Sequence, residues 1–202
     1  MDAQTAVVPT IFVTGPVRSG KSRFAERLAL ERGAEVVYVA TARADPGDAE
    51  WSARIAHHAA RRPAHWRTLE TASEDAPSLA ALVRETASGV TLVIDSLGTW
   101  LAERMSRRLA AMGGDNFPAA FEVTALEEEA SDVVAALLAT EAYAIVVGEE
   151  VGWGLVPPYP SGRVFRDVLG RAQQRLAAGA AAAYLVVSGF ALDLRANGTP
   201  VD

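Results

Sequence analysis

Eight residues near the start of the chain carry the clearest chemistry. Gly15-Pro16-Val17-Arg18-Ser19-Gly20-Lys21-Ser22 has the spacing G-x-x-x-x-G-K-S, the phosphate-binding loop (P-loop) pattern. Glycines let the backbone wrap closely around phosphate oxygens. A helix that follows adds its free N–H groups and the positive end of its dipole. In such a loop Lys21 reaches the β- and γ-phosphates and the Ser22 hydroxyl ligates Mg2+. The setting supports the pattern. An apolar segment, Ile11-Phe12-Val13, precedes it, and a stretch with Phe24, Ala25, Leu28 and Ala29 on one helical side follows it, stopped by Gly33.

A nucleotide cleft of this kind needs an acid to attract the metal. Val90-Thr91-Leu92-Val93-Ile94-Asp95 is a buried-strand pattern with a carboxylate at its end, where ligands of α/β sheets gather. Asp95 has two readings, a Mg2+ ligand or the cap of a helix that starts near Ser96. The P-loop favours the first.

The chain has three histidines, all between Arg54 and Trp66. If Glu50 to Arg62 is helical, Arg54, His57 and Arg61 share one face, an imidazole between two guanidiniums. Trp51, Ile55, His58 and Ala59 form the adjacent, more apolar face. That geometry nominates His57 as the exposed, reactive histidine and His58 as partly packed. A neutral imidazole can attack phosphorus and form a covalent intermediate. A solvated basic helix face is the plainer alternative. A metal pair is disfavoured, because adjacent residues point about 100° apart on a helix.

These groups must be held by a scaffold, and its pattern is legible. Short β-branched runs recur at Thr10–Thr14, Val36–Ala40, Val90–Ile94, Ala142–Val147 and Ala183–Ser188. Such continuous apolar runs suit strands buried on both faces of a parallel sheet. Helical patterns lie between them, one with Leu97, Trp100, Leu101, Met105 and Leu109, another with Val164, Phe165, Val168, Leu169, Ala172 and Leu176. Alternation predicts an α/β domain with a mainly parallel central sheet flanked by helices. Residues 1–9 read as a flexible leader and 10–202 as one domain. Gly113-Gly114-Asp115-Asn116 and Pro157 to Gly162 read as surface loops, and Ala177–Ala183 as a helix end passing into the last strand.

Composition narrows the classes. With 202 residues, half of them hydrophobic, the chain can enclose a core. A net charge of −6 argues against a nucleic-acid partner, which calls for clustered Lys and Arg. The absence of cysteine removes disulfides, thiolate metal sites and Cys nucleophiles together. No apolar run approaches a membrane span, and Met1-Asp2-Ala3-Gln4 does not open a signal peptide, so the expectation is a soluble cytoplasmic protein.

Beyond the P-loop, several longer segments resemble one family in order from Thr10 onward. They are Thr14-Gly15 with Arg18 to Arg23, Tyr38 to Thr41, Arg54 to His58, Arg62 to Glu70, Glu150 to Pro157, Arg163 to Asp167, Gln174 to Ala177 and Val186 to Gly189. Together they resemble the bifunctional adenosylcobinamide kinase / adenosylcobinamide-phosphate guanylyltransferases of cobalamin (vitamin B12) biosynthesis. The resemblance implies a RecA-like P-loop domain with two reactions. One phosphorylates the aminopropanol hydroxyl of adenosylcobinamide; the other transfers GMP from GTP to adenosylcobinamide phosphate, giving adenosylcobinamide-GDP and pyrophosphate. GTP and ATP are the implied nucleotide substrates, with Mg2+. The first histidine of the pair is the guanylylated one, which maps to His57. Nucleotide contacts carry over to Gly15 through Ser22, to Ala40, Thr41 and Ala42, to His58, Ala59, Ala60 and Arg61, and to Glu70 and Asp95. Homotrimers with sites near subunit boundaries are implied as well.

The chain departs from that family at a few positions. Pro16 lacks an N–H where Gly is common. Gly148-Glu149 stands where Ser or Thr followed by Asn is usual, and Gln173 where Asn is usual. Glu149 brings a negative charge toward a phosphate site. Two rival functions remain: another small-molecule kinase with His57 idle, and a regulatory or motor NTPase, which the acidic charge disfavours.

Overall fold

The computed structural model describes residues 10–44, 47–72, 76–111 and 120–201. In chain order the elements are β1 (Thr10–Thr14), α1 (Lys21–Arg32), β2 (Val36–Ala40), α2 (Ala49–Ala60), β3 (Arg67–Glu70), α3 (Leu79–Glu85) and β4 (Thr91–Asp95). Then follow α4 (Leu97–Ala111), α5 (Ala120–Ala139), β5 (Tyr143–Val147), α6 (Pro160–Gly179), β6 (Ala182–Val187), β7 (Phe190–Asp193) and α7 (Leu194–Asn197). The strands form one sheet in the order β3-β2-β4-β5-β1-β6-β7, parallel except for β7, which runs antiparallel to β6.

Period-2 alternation explains why the apolar runs are nearly continuous. Phe12, Val37 and Val39 point into one core, with Leu101, Leu126, Leu137 and Leu176 from the helices packed on that face. Ile11, Val13, Val36 and Tyr38 point into the other, with Ala25 and Ala29 of α1. Both faces of the central strands are therefore buried, as the runs predicted. The strand bearing the P-loop, β1, lies between β5 and β6, and β5 separates it from β4 and Asp95. This is the arrangement of a RecA-like P-loop fold.

The five expected strands are present, within a residue or two at each end. Two edge strands were not legible. Residues of β3 and β7 are mostly exposed and carry no buried alternation, because a sheet edge has little to cover it. The strand that follows the Ala177–Ala183 run, β6, is consequently not the last one. The expected loop from Pro157 to Gly162 is shorter, because α6 begins at Pro160, a residue whose fixed φ suits the first turn of a helix. Helix α5 went unread, although Leu126, Ala130, Val133 and Leu137 are buried at helical spacing. The leader at 1–9 and the Gly113–Asn116 cluster lie outside the described residues. Among the described residues no helix is long and apolar enough to cross a membrane.

Candidate active site

The P-loop leaves the carboxyl end of β1 and runs into α1. Gly15 lies against β6. A Cβ there would fall 2.2 Å from the Val186 carbonyl oxygen and 2.9 Å from Ser19 Oγ, so a side chain would push the loop off the sheet. Arg18 takes a left-handed φ of 59°, which costs a non-glycine residue about 1 kcal/mol or more. Contacts across the loop hold that conformation. The Ser19 N–H donates to the Pro16 carbonyl at 3.3 Å, and the Gly189 N–H donates to the Ser19 carbonyl at 2.9 Å. Gly189 belongs to the turn between β6 and β7, which braces the loop.

Two groups inside the loop are under-satisfied by protein. Lys21 is only 8% exposed, and its Nζ donates to the Pro16 carbonyl at 3.4 Å. Ser19 Oγ is buried with no protein partner. A held ammonium and an unpaired hydroxyl fit an anion with several oxygens, as a polyphosphate is.

Facing the loop is the end of β4. Tyr38 donates its hydroxyl to Asp95 Oδ2 at 2.5 Å. Burial, reinforced by the Asp95 carboxylate, pushes the Tyr38 phenol far up, so it stays a donor. His58 Nδ1 sits 3.9 Å from the same Oδ2, outside hydrogen-bond range. Burial lowers the His58 pKa, Asp95 opposes that, and Arg61 pushes with burial. The imidazole is biased to its neutral form. Ser22 and Asp95 line one cleft, and a hydroxyl with a carboxylate is a donor set that fits Mg2+, whose other positions water and phosphate can fill.

Lys21, Glu149 and Thr99 share this cleft from the sheet side; Trp51, Arg54, Ile55 and His58 enter it from α2, and Arg62 from just beyond. Helix α2 begins at an Asp48 cap whose side chain accepts from the Trp51 N–H at 2.8 Å. None of its residues is fully buried. It is held by few tethers: Trp51 Nε1 donates to the Arg43 carbonyl at 2.8 Å, and the Arg62 guanidinium stacks 3.8 Å over the Tyr38 ring.

The structure thus brings Lys21, Ser22, Ala40, Ala42, His58 and Asp95 together around one cleft. It aligns the strand ends that carry Glu70, Ala40 and Asp95, which are register partners across β3, β2 and β4. Thr41 is buried beside them, with its Oγ1 donating to the Ser96 carbonyl at 2.7 Å. His57 is exposed and His58 half-buried, as their spacing predicted, and the rings meet edge-on at 6.5 Å. The expected row of Arg54, His57 and Arg61 does not form a common phosphate face. The Arg61 guanidinium turns instead to Glu26 of α1, at 3.0 Å. Neither His57, Ala59, Ala60 nor Arg61 is among the residues that line the cleft. The reason is that Glu26 is a nearly buried carboxylate needing a cation, and helical spacing alone does not report what a neighbouring helix offers.

Sequence reasoning missed Tyr38, Thr99 and Arg62. Tyr38 had a signal, as the sole polar-tipped side chain in the β2 run Val36-Val37-Tyr38-Val39-Ala40. Thr99 sits in the first turn after Asp95, within reach of the same strand end.

Comparison with known proteins shows the family. A family model described as cobinamide kinase / cobinamide phosphate guanyltransferase matches residues 11–194. The bifunctional adenosylcobalamin biosynthesis protein CobU of Salmonella typhimurium is 38% identical over 189 residues, spanning 92% of this chain and 99% of that protein. CobU of Escherichia coli is 36% identical over the same shares. The corresponding protein CobP of Pseudomonas aeruginosa is 37% identical over 184 residues, 91% of this chain and 95% of that one. Among solved structures, an ATPase of a bacterial type III secretion system aligns with a TM-score of 0.49 and 13% identity, over 96% of this chain and 59% of that one.

Proposed function

The chain belongs to the cobinamide kinase / cobinamide phosphate guanyltransferase family, and from that premise we propose that the cleft carries the kinase reaction and the exposed side of α2, beside it, the guanylyl transfer. It is a bifunctional enzyme of adenosylcobalamin biosynthesis. The observation that carries the reading is the pair of under-satisfied groups in the loop, Lys21 and Ser19, opposite Asp95.

In the kinase reaction the γ-phosphoryl group of ATP or GTP passes to the aminopropanol hydroxyl of adenosylcobinamide. A new O–P bond forms, the β–γ bridge breaks, and the hydroxyl proton is released. Lys21 and the loop N–H groups hold the β- and γ-oxygens as charge shifts between them. Bound Mg2+, held by Ser22 and drawn by Asp95, would neutralise charge on the same oxygens. Pro16 supplies no N–H, so the remaining loop donors carry the binding.

In the guanylyl transfer a His57 nitrogen attacks the α-phosphorus of GTP and pyrophosphate leaves. A phosphate oxygen of adenosylcobinamide phosphate then attacks the phosphoramidate, freeing His57 and giving adenosylcobinamide-GDP. His57 is exposed, free to meet an electrophile. A reacting imidazole must come within about 3–3.5 Å of phosphorus. An outward-facing His57 suits a nucleotide held near a subunit boundary, in line with a homotrimer. Cytoplasmic location follows from the triphosphate substrates. A second reading has one observation behind it: His58 lines the cleft beside Asp95, with a neutral imidazole favoured.

Incubation with GTP and Mg2+, then peptide mapping under basic conditions where a phosphoramidate survives, decides between them. A GMP adduct on His57 is expected. An adduct on His58 would transfer the nucleophile to the neighbour, and no adduct at all would reduce the protein to a plain kinase.

A further inference from the structure

Resting on the kinase reading above, we infer that Glu149 is a positioning residue for phosphoryl transfer, a carboxylate strap that fixes the first turn of α4, and with it the Asp95 end of β4, against the P-loop strand's neighbour β5. Glu149 follows the end of β5, the strand between β1, which leads into the P-loop, and β4, which ends at Asp95. Its Oε1 accepts from Ser96 Oγ at 2.5 Å, and its Oε2 accepts from the Gly98 N–H at 2.9 Å. Helix starts are usually capped by a side chain just before them; here Ser96 Oγ accepts from the Thr99 N–H at 3.3 Å, and a second acceptor arrives from beyond the end of β5, 51 residues along the chain.

The surroundings are shaped for this strap. A Cβ on residue 98 would lie 2.1 Å from Glu149 Oε2, so Gly98 and the carboxylate are matched. Gln173 Nε2 donates to the Glu149 carbonyl at 3.0 Å and fixes the backbone from α6. The load continues past Ser96, whose N–H donates to Thr41 Oγ1 at 2.7 Å while the Thr41 hydroxyl returns to the Ser96 carbonyl. A continuous set of hydrogen bonds therefore runs from the end of β2 through the Asp95–Thr99 turn to the end of β5. Burial pushes the Glu149 pKa up, and the Ser96 hydroxyl and Lys21 push it back. Placing a carboxyl group there is unfavourable unless its oxygens are bonded, and both are.

Two substitutions separate strap from charge. Glu149→Gln keeps an acceptor for Gly98 N–H, and its amide can donate to Ser96 Oγ. Glu149→Ala removes both contacts. For Glu149→Ala, kinase kcat should fall about tenfold or more, with a higher half-saturating Mg2+ concentration, because small displacements at a phosphoryl-transfer site are costly. Glu149→Gln should stay within about threefold of wild type on both readouts. Equal loss in the two variants would overturn the strap and assign the carboxylate's charge or proton instead. Wild-type kcat and Mg2+ titration in folded Glu149→Ala would show the strap idle. If Glu149→Ala does not fold, Gly98→Ala displaces the same carboxylate by the 2.1 Å overlap and must give the same kinetic defect. Absence of kinase activity in the wild-type protein would remove both this inference and the kinase reading; an active wild type with an unaffected Glu149→Ala removes this inference alone.

Discussion

The two walls of the cleft are built differently. The phosphate wall is part of the core: Lys21 and Ser19 are buried, and the strand beneath them, β1, is buried along its whole length. The histidine wall, α2, has no fully buried residue and is tied down at a few points, Arg61 to Glu26 and Trp51 to Arg43 among them. Groups that hold a highly charged ligand need rigid placement, because electrostatic stabilisation depends on donors that do not reorganise. A nucleophile that must meet two successive partners needs access instead. On the proposed mechanism, binding falls to the buried wall and covalent chemistry to the exposed one, and exposed elements with few buried contacts open more readily.

Removing the phosphate wall's cation is the most severe test. Lys21→Ala should lose both reactions, by about 10²-fold or more in rate, as for other charge-stabilising donors. Near wild-type turnover in steady-state assays of either reaction would break the idea that one loop serves both. The next test touches only the second wall. His57→Ala should abolish guanylyl transfer and the GMP adduct while keeping a measurable kinase rate, read with separate product assays. Parallel loss of both activities would merge the two walls into one functional unit.

The smallest effect is expected at the seam. Arg61→Ala leaves the nearly buried Glu26 carboxylate without its 3.0 Å partner. The pair is partly exposed, so the expected cost is about 1–2 kcal/mol in a denaturant melt. Guanylyl transfer should weaken more than kinase activity, because α2 is what the pair anchors. An equal effect on both would mean that Arg61 acts on the nucleotide directly.

The same contrast explains what was legible beforehand. The P-loop is a local object: eight consecutive residues specify its backbone, and the apolar runs around it declare a sheet buried on both faces. Asp95 was readable because a strand end is a local position too. His57 and His58 were assigned correct exposures from helical phase alone. What phase could not supply was the partner of Arg61, since that depends on where α1 lies. Glu149 could be flagged as a charge near phosphate, yet its two hydrogen bonds depend on β5 being inserted beside β4, and strand order is not written in any one segment. The exposed edges β3 and β7 stayed hidden because their residues do not alternate between core and solvent.

The brace on the P-loop has a consequence for how the protein is made. Val186 and Gly189, which back the loop and fix Ser19, come from the last part of the chain. Translation delivers residues 15–22 early and the brace only on the order of ten seconds later, at usual elongation rates. In the interval β1 has one neighbour missing on its β6 side. A nucleotide should therefore bind only once residues 182–189 have joined the sheet. Ribosome-stalled chains ending before Ala182 are expected to gain no protease protection from triphosphate, and protection in such chains would show that the motif matures without its partner strand.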